Sequence, residues 1–198
     1  QSMVEAQEYP EDYDGIWASC PAINWSKFLP VGLWANAVMN SNNYIVPPSK
    51  VKFAMNEAQN TVGGKEKYYE YDRPLEFDYY TLVGKKVKND TFTEIDAKVL
   101  TEIYGGPARN GKRLWYFGRP GVLCYNVGIP IGAFWYTPIF HKPKPFFLST
   151  YYCRWVTKNP KQKFDKVTKD EFYKIYDASV NELRIIRICL HSKTQGAS

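Results

Sequence analysis

The chain has 198 residues, 44% of them hydrophobic and 23% charged, a composition ordinary for one soluble globular domain large enough to bury a substantial core. Its net charge is +6, but the lysines (Lys50, Lys52, Lys65, Lys67, Lys85, Lys86, Lys88) are scattered among Glu and Asp rather than gathered in one stripe, which argues against a nucleic-acid partner. No apolar run reaches the roughly 18 residues of a membrane span, and no secretory h-region is present, so the chain reads as a mature secreted form whose signal has been removed.

Residues 1–19 are acidic and Tyr-rich, with Glu5, Glu8, Glu11, Asp12 and Asp14 around Pro10, and read as an irregular N-terminal arm. Residues 20–198 read as a single domain. Within it, alternation of period two predicts half-buried strands. Val51, Phe53 and Met55 alternate with Lys50, Lys52 and Asn56, and Leu75, Phe77 and Tyr79 with Glu76, Asp78 and Tyr80. Ile95, Ala97, Val99 and Ile103 alternate with Glu94, Asp96, Lys98 and Glu102, as an antiparallel strand with one wet face would. Further strand-like runs are Leu114 to Phe117, Val122 to Val127, Ala133 to Ile139 and Phe146 to Val156. Turn signals separate them: Pro47-Pro48, Gly63-Gly64, Gly84-Lys85-Lys86, Gly105-Gly106-Pro107, Asn110-Gly111 and Pro120-Gly121. The polar stretch from Lys158 to Lys169 reads as a solvated connection.

One helix is expected, over about 168–183. Thr168 and Glu171 form a capping-box pattern, and Phe172, Ile175 or Tyr176, Val180 and Leu183 recur at helical spacing. After it, Ile185 to Leu190 around Cys189 read as a short strand or tail. The fold class expected is all-β: an eight-stranded antiparallel up-and-down barrel with one C-terminal helix.

Aromatic residues make up 17% of the chain, which suits strands and apolar ligand sites. Cys20, Cys124, Cys153 and Cys189 are an even set without a Cys-x-x-Cys pair, and His141 and His191 are the only histidines. Disulfides in an oxidising compartment are expected rather than a metal site, and sequence alone leaves all three pairings open. Two glycosylation sequons, Asn24-Trp25-Ser26 and Asn89-Asp90-Thr91, fit an extracellular location. There is no Gly-x-Ser-x-Gly elbow, phosphate loop or His-rich motif, and His141 reads as a loop residue; the expectation is that the chain is not an enzyme.

The stretch Cys20-Pro21, Asn24 to Leu29, then Gly32-Leu33-Trp34 resembles the N-terminal signature of the lipocalins. The resemblance implies a closed barrel with Trp34 as its floor and a secreted carrier of a small hydrophobic molecule: a carotenoid, retinoid, bilin, fatty acid or lipid mediator. It implies ligand contacts from Trp34, Phe53, Met55, Phe77, Ile95, Ala97 and Val99. Tyr69, Tyr71, Tyr79, Tyr116 and Tyr136 would fix the ligand's orientation. No cofactor is required beyond such a ligand or pigment, and homo-oligomers stay open. The family's second motif is degraded, with Thr137-Pro138 or Thr150-Tyr151-Tyr152 as the nearest matches, both without its aspartate, and Arg154 or Lys158 would take the role of its arginine over Trp34; these departures suggest an arthropod or salivary-like member. Its tick-type members imply Cys124–Cys153 with Cys20–Cys189; its insect-type members imply Cys20–Cys124 with Cys153–Cys189, towards which the reading leans. A salivary-type scavenger of biogenic amines is the alternative within the family. Outside it stands a sandwich-type module that binds a sugar or a protein.

Overall fold

The computed structural model describes residues 2–19, 24–62, 76–115, 118, 120–121, 145 and 147–194, with the side chains of residues 3, 4 and 182–194 left aside. Among these residues the architecture is helical. Seven helices follow in order: α1 (Ser2–Glu8), α2 (Trp25–Phe28), α3 (Trp34–Ser41), α4 (Pro48–Val62), α5 (Glu94–Gly105), α6 (Phe147–Val156) and α7 (Lys169–Thr194). Two hairpins of two-residue strands complete it, β1 (Lys86–Val87) with β2 (Asp90–Thr91), and β3 (Ala108–Arg109) with β4 (Lys112–Arg113).

The all-β barrel is therefore corrected. The Glu94–Ile103 run, read as a strand with Asp96 on its wet face, is helix α5. Its buried residues are Asp96, Ala97, Val99, Leu100, Ile103 and Tyr104. Asp96, Leu100, Ile103 and Tyr104 fall at the helical spacings of three and four, whereas the two-residue repeat came from Glu94, Lys98 and Glu102, which a helix also keeps off its core face. Thr93 decides the local structure. It sits extended (φ −109, ψ 167), forms a capping box with Asp96, and so satisfies amide groups that a helix start otherwise leaves open.

The Val51–Met55 alternation is likewise helix α4. Lys50, Val51, Ala54, Met55 and Ala58 are buried, and Phe53 packs half-buried against the same core. Pro48 stands at its first position, where a missing amide hydrogen costs nothing, and the Pro47 carbonyl accepts from the amides of Lys50 and Val51. The Phe77–Tyr79 run leads into a 3₁₀ turn, Tyr79–Leu82, started by the Asp78 carboxylate accepting from the Tyr80 amide at 2.9 Å.

Gly32 and Trp34, the heart of the lipocalin resemblance, do not open a strand. Gly32 lies in a 3₁₀ turn (Leu29–Leu33), and Trp34 begins α3, in which Trp34, Ala35, Asn36, Ala37, Val38 and Met39 are all buried. A helix buried on every side belongs to the middle of a core, and α3 packs against both α5 and α7. Trp34 is wedged there: its ring centre lies 5.1 Å from that of Phe172, and its Nε1 donates to the Glu102 carbonyl at 3.1 Å.

The Phe146–Val156 strand run is helix α6 from Phe147, with Ser149, Cys153 and Val156 turned inward. Helix α7 begins where the capping box placed it: the Thr168 amide donates to Glu171 Oε2 at 2.9 Å, and the Glu171 amide to Thr168 Oγ1 at 3.3 Å. It continues through residues 185–190 to Thr194, where the sequence reading placed a strand or tail. The acidic arm carries helix α1 followed by a 3₁₀ turn, Pro10–Asp12. The expected strands of residues 122–139 lie outside the described residues.

The Asn110-Gly111 turn joins β3 to β4 with both residues at positive φ (51 and 74), the mirror-image turn that matches strand twist. Among the described residues, no helix is long and apolar enough to cross a membrane.

Candidate functional site

Among the described residues, the densest assembly of ionisable groups is built by three neighbouring elements around Asp96. Helix α4 contributes Lys50, 3% exposed, which reaches Asp96 Oδ2 at 2.8 Å and Asp90 Oδ2, on β2, at 3.0 Å. Tyr44, from the segment before α4, donates its hydroxyl to Asp96 Oδ1 at 2.7 Å. Thr93 donates to Asp96 Oδ2 twice, from its amide at 2.8 Å and from Oγ1 at 2.6 Å. Asp96 itself is fully buried.

Electrostatics follow from that geometry. Burial alone would push the Asp96 carboxyl up, but donors from Lys50, Thr93 and Tyr44 outweigh it and hold it below the ordinary 3.8. Burial opposes the charge on Lys50, yet Asp96 and Asp90 keep its ammonium above 10.5. Tyr44 is pushed up to about 12 by burial and by the carboxylate it faces. Asp96 thus accepts four hydrogen bonds, three on Oδ2 and one on Oδ1, and is sealed from solvent, so every bond it makes ties it to the protein. This cluster is a lock between α4, α5 and the first hairpin, not a general base.

A second set ties α3 and α5 to α7. Glu102 Oε2 accepts from Lys169 Nζ at 2.9 Å and from Asn42 Nδ2 at 3.3 Å. Arg109 grips Asp177 with two bonds of 3.1 and 3.0 Å and lies 5.0 Å from the ring centre of Tyr173. Both ends of that pair are exposed, so its net worth is small. Ser179, buried in α7, donates to the Ser26 carbonyl at 2.7 Å and lies 2.8 Å from the Tyr152 hydroxyl.

Of the expected ligand-lining residues, Trp34, Met55, Tyr79, Ala97 and Val99 do come together with Phe53, Phe77 and Ile95, but as neighbours in a packed helical core. They come from α3, α4, α5 and the turn at Tyr79, without a barrel wall. Tyr69, Tyr71, Tyr116 and Tyr136 lie outside the described residues. Cys153 is a free, buried thiol where a disulfide was expected, its pKa pushed up to about 12 by burial. Cys20, Cys124 and the Cys189 side chain lie outside the description, as do His141 and the His191 side chain.

Among the described residues, no group of three or more His, Cys, Asp or Glu is placed to hold a metal ion. An aromatic face remains open on α6. Tyr151 and Trp155 are 65% and 47% exposed, with Arg154 5.6 Å from the Tyr151 ring centre and Lys158 Nζ 4.6 Å from that of Trp155.

The sequence reading missed Tyr44 and Thr93 altogether and placed Lys50 and Asp96 in water. One signal was available: Thr93-x-x-Asp96 ahead of an apolar run is the same capping pattern that revealed α7.

Comparison with known proteins gives two findings. The family model described as "Tannase and feruloyl esterase" matches residues 1–121. A probable feruloyl esterase of Arthroderma benhamiae is 33% identical, over 94% of this chain and 38% of its own length. The chain thus spans well under half of the curated relative it matches. No solved structure matches.

These matches overturn the lipocalin resemblance, and with it the hydrophobic-ligand and pigment carrier, the amine scavenger and the sugar- or protein-binding sandwich. They equally overturn the expectation that the chain is not an enzyme, since the family and the relative are both named for esterases. Gly-x-Trp with an upstream cysteine is a short pattern, and it fell by chance on a turn and a core helix.

Proposed function

Because this chain belongs to the tannase and feruloyl esterase family, we propose that it is part of an esterase that hydrolyses esters of phenolic acids, feruloyl esters foremost. The observation that carries this reading is the family match over residues 1–121, the range that holds the arm, α3, α4 and the Asp96 lock. The relative's name supports the substrate class, and its greater length leaves room for parts of the enzyme beyond this chain.

Ester hydrolysis needs a nucleophile or activated water, a base to take its proton, and donors that stabilise the oxyanion. Two buried hydroxyls, Ser179 and Ser149, are poorly placed for the first role. Ser179 is committed to Ser26 and Tyr152, and Ser149 is fully buried on the inward face of α6. What the described residues offer is rigidity: a helical unit whose α4, α5 and hairpin are fastened at Asp96 and whose α3, α5 and α7 are fastened around Trp34 and Glu102. Catalytic groups mounted on such a unit keep their positions, and small displacements cost catalysis heavily. The enzyme works outside the cell in this reading, supported by the two sequons.

The test is hydrolysis by the purified whole protein of methyl ferulate, methyl gallate and a plain aliphatic ester of equal chain length. Faster release of the phenolic acids is the expected result. Equal rates on all three esters would remove the substrate class, and no hydrolysis of any would remove the esterase.

A further inference from the structure

The first hairpin carries one of the two sequons at its tip, and the Asp96 lock holds its middle residue, Asp90, but not Asn89. Asn89 follows Lys88, which takes a left-handed conformation (φ 56) to turn the chain between β1 and β2. Asn89, Asp90 and Thr91 are all exposed, and the Asn89 side chain makes no hydrogen bond with a described residue. We infer that Asn89 is an N-glycosylation site, and that the β1–β2 hairpin therefore faces solvent in the complete protein.

The chemistry is transfer of an oligosaccharide from a lipid diphosphate donor. The bond between the sugar's anomeric carbon and the diphosphate oxygen breaks, and one forms to Asn89 Nδ2. The lipid diphosphate leaves, and the amide nitrogen gives up a proton. The sequon hydroxyl required for this reaction is that of Thr91.

Geometry sets the order of events. In the folded chain Asp90, the middle residue of the sequon, is held by Lys50 at 3.0 Å, and its Oδ1 accepts from the Thr91 amide at 2.7 Å. A sequon pinned into a two-residue turn cannot spread across a transferase site. The sugar is thus added before α4 closes on the hairpin, and the exposed tip then accommodates it without disturbing a contact. Asn24, at the start of α2, also lies exposed, but residues 20–23 beside it lie outside the described structure. The inference is confined to Asn89. It stands apart from the esterase reading, because a glycan is read by mass and hydrolysis by product release.

The experiment secretes the full chain from yeast behind a leader and maps its peptides with and without the amidase that releases N-linked glycans. The peptide containing residue 89 should appear only after the amidase, with Asn89 converted to aspartate. The variant Thr91→Ala, secreted in parallel, should yield that peptide unmodified without treatment. Recovery of the wild-type peptide wholly unmodified would overturn the inference. So would a glycan at residue 89 that persists in Thr91→Ala.

Discussion

Lys50 Nζ and Asp96 Oδ2 meet at 2.8 Å with side chains only 4% and 0% exposed, so a full ion pair is sealed between helices α4 and α5. A buried pair of this kind adds little beyond what a well-packed apolar pair would give, but losing one partner strands the other's charge.

Lys50→Met should therefore destabilise the chain by about 3 kcal/mol, near the lower end for a broken buried pair, because Tyr44 and Thr93 still donate to Asp96. The double variant Lys50→Met/Asp96→Leu should recover much of that loss, less the hydrogen bonds that Thr93 and Tyr44 forfeit. Urea unfolding followed by far-UV circular dichroism measures both. A single variant as stable as wild type would show that the pair is not sealed from water.

Stability should fall at both ends of the pH range. Asp96 is held below 3.8 in the folded state, so its contribution is complete above that value and is lost as pH falls through the lower folded value. Lys50, raised above 10.5, and Tyr44, raised to about 12, keep protons that the unfolded chain has given up. Stability therefore declines as pH rises past about 10, towards both raised values. Melting temperatures across pH for wild type and Asp96→Asn check the acid side, where the variant should show the flatter profile.

The thiol of Cys153 should resist alkylation in the native protein. It is buried, and at pH 8 a group with a pKa of about 12 holds almost no thiolate, the reactive form. Iodoacetamide followed by peptide mapping should label Cys153 only after denaturant is added. Labelling under native conditions would mean that α6 opens readily from the core.

Trp34→Ala should cost about 3–5 kcal/mol, the range for removing a large aromatic side chain from a core. It empties the space beside Phe172 and removes the donor to the Glu102 carbonyl. Trp34→Phe keeps part of the ring contact and should cost less. Chemical unfolding of the two variants separates packing from the hydrogen bond.

Local chemistry was more legible in the sequence than architecture. The Thr168–Glu171 box and the Asn110-Gly111 turn were read from residue type alone, because each acts through bonds to its own neighbours. The body of the fold was not. Ile95, Ala97, Val99 and Ile103 fit period two only because a short, well-buried helix also holds apolar residues at separations of two and four. Lys50 and Asp96 were placed in water as charged residues usually are, since nothing in either local segment shows that the other arrives to neutralise it. The expected binding residues Trp34, Met55, Tyr79, Ala97 and Val99 share one core, so apolar character foretold burial and said nothing about a ligand.

The most direct measurement is ferulate release from methyl ferulate by the purified whole protein as temperature rises, for wild type, Lys50→Met and Lys50→Met/Asp96→Leu, with helical signal recorded on the same samples. Wild type should release ferulate, Lys50→Met should lose activity at the lower temperature where its helices melt, and the double variant should regain part of both. No ferulate release by the folded wild type, or activity that persists after the helices of Lys50→Met have melted, would contradict an esterase built on this scaffold.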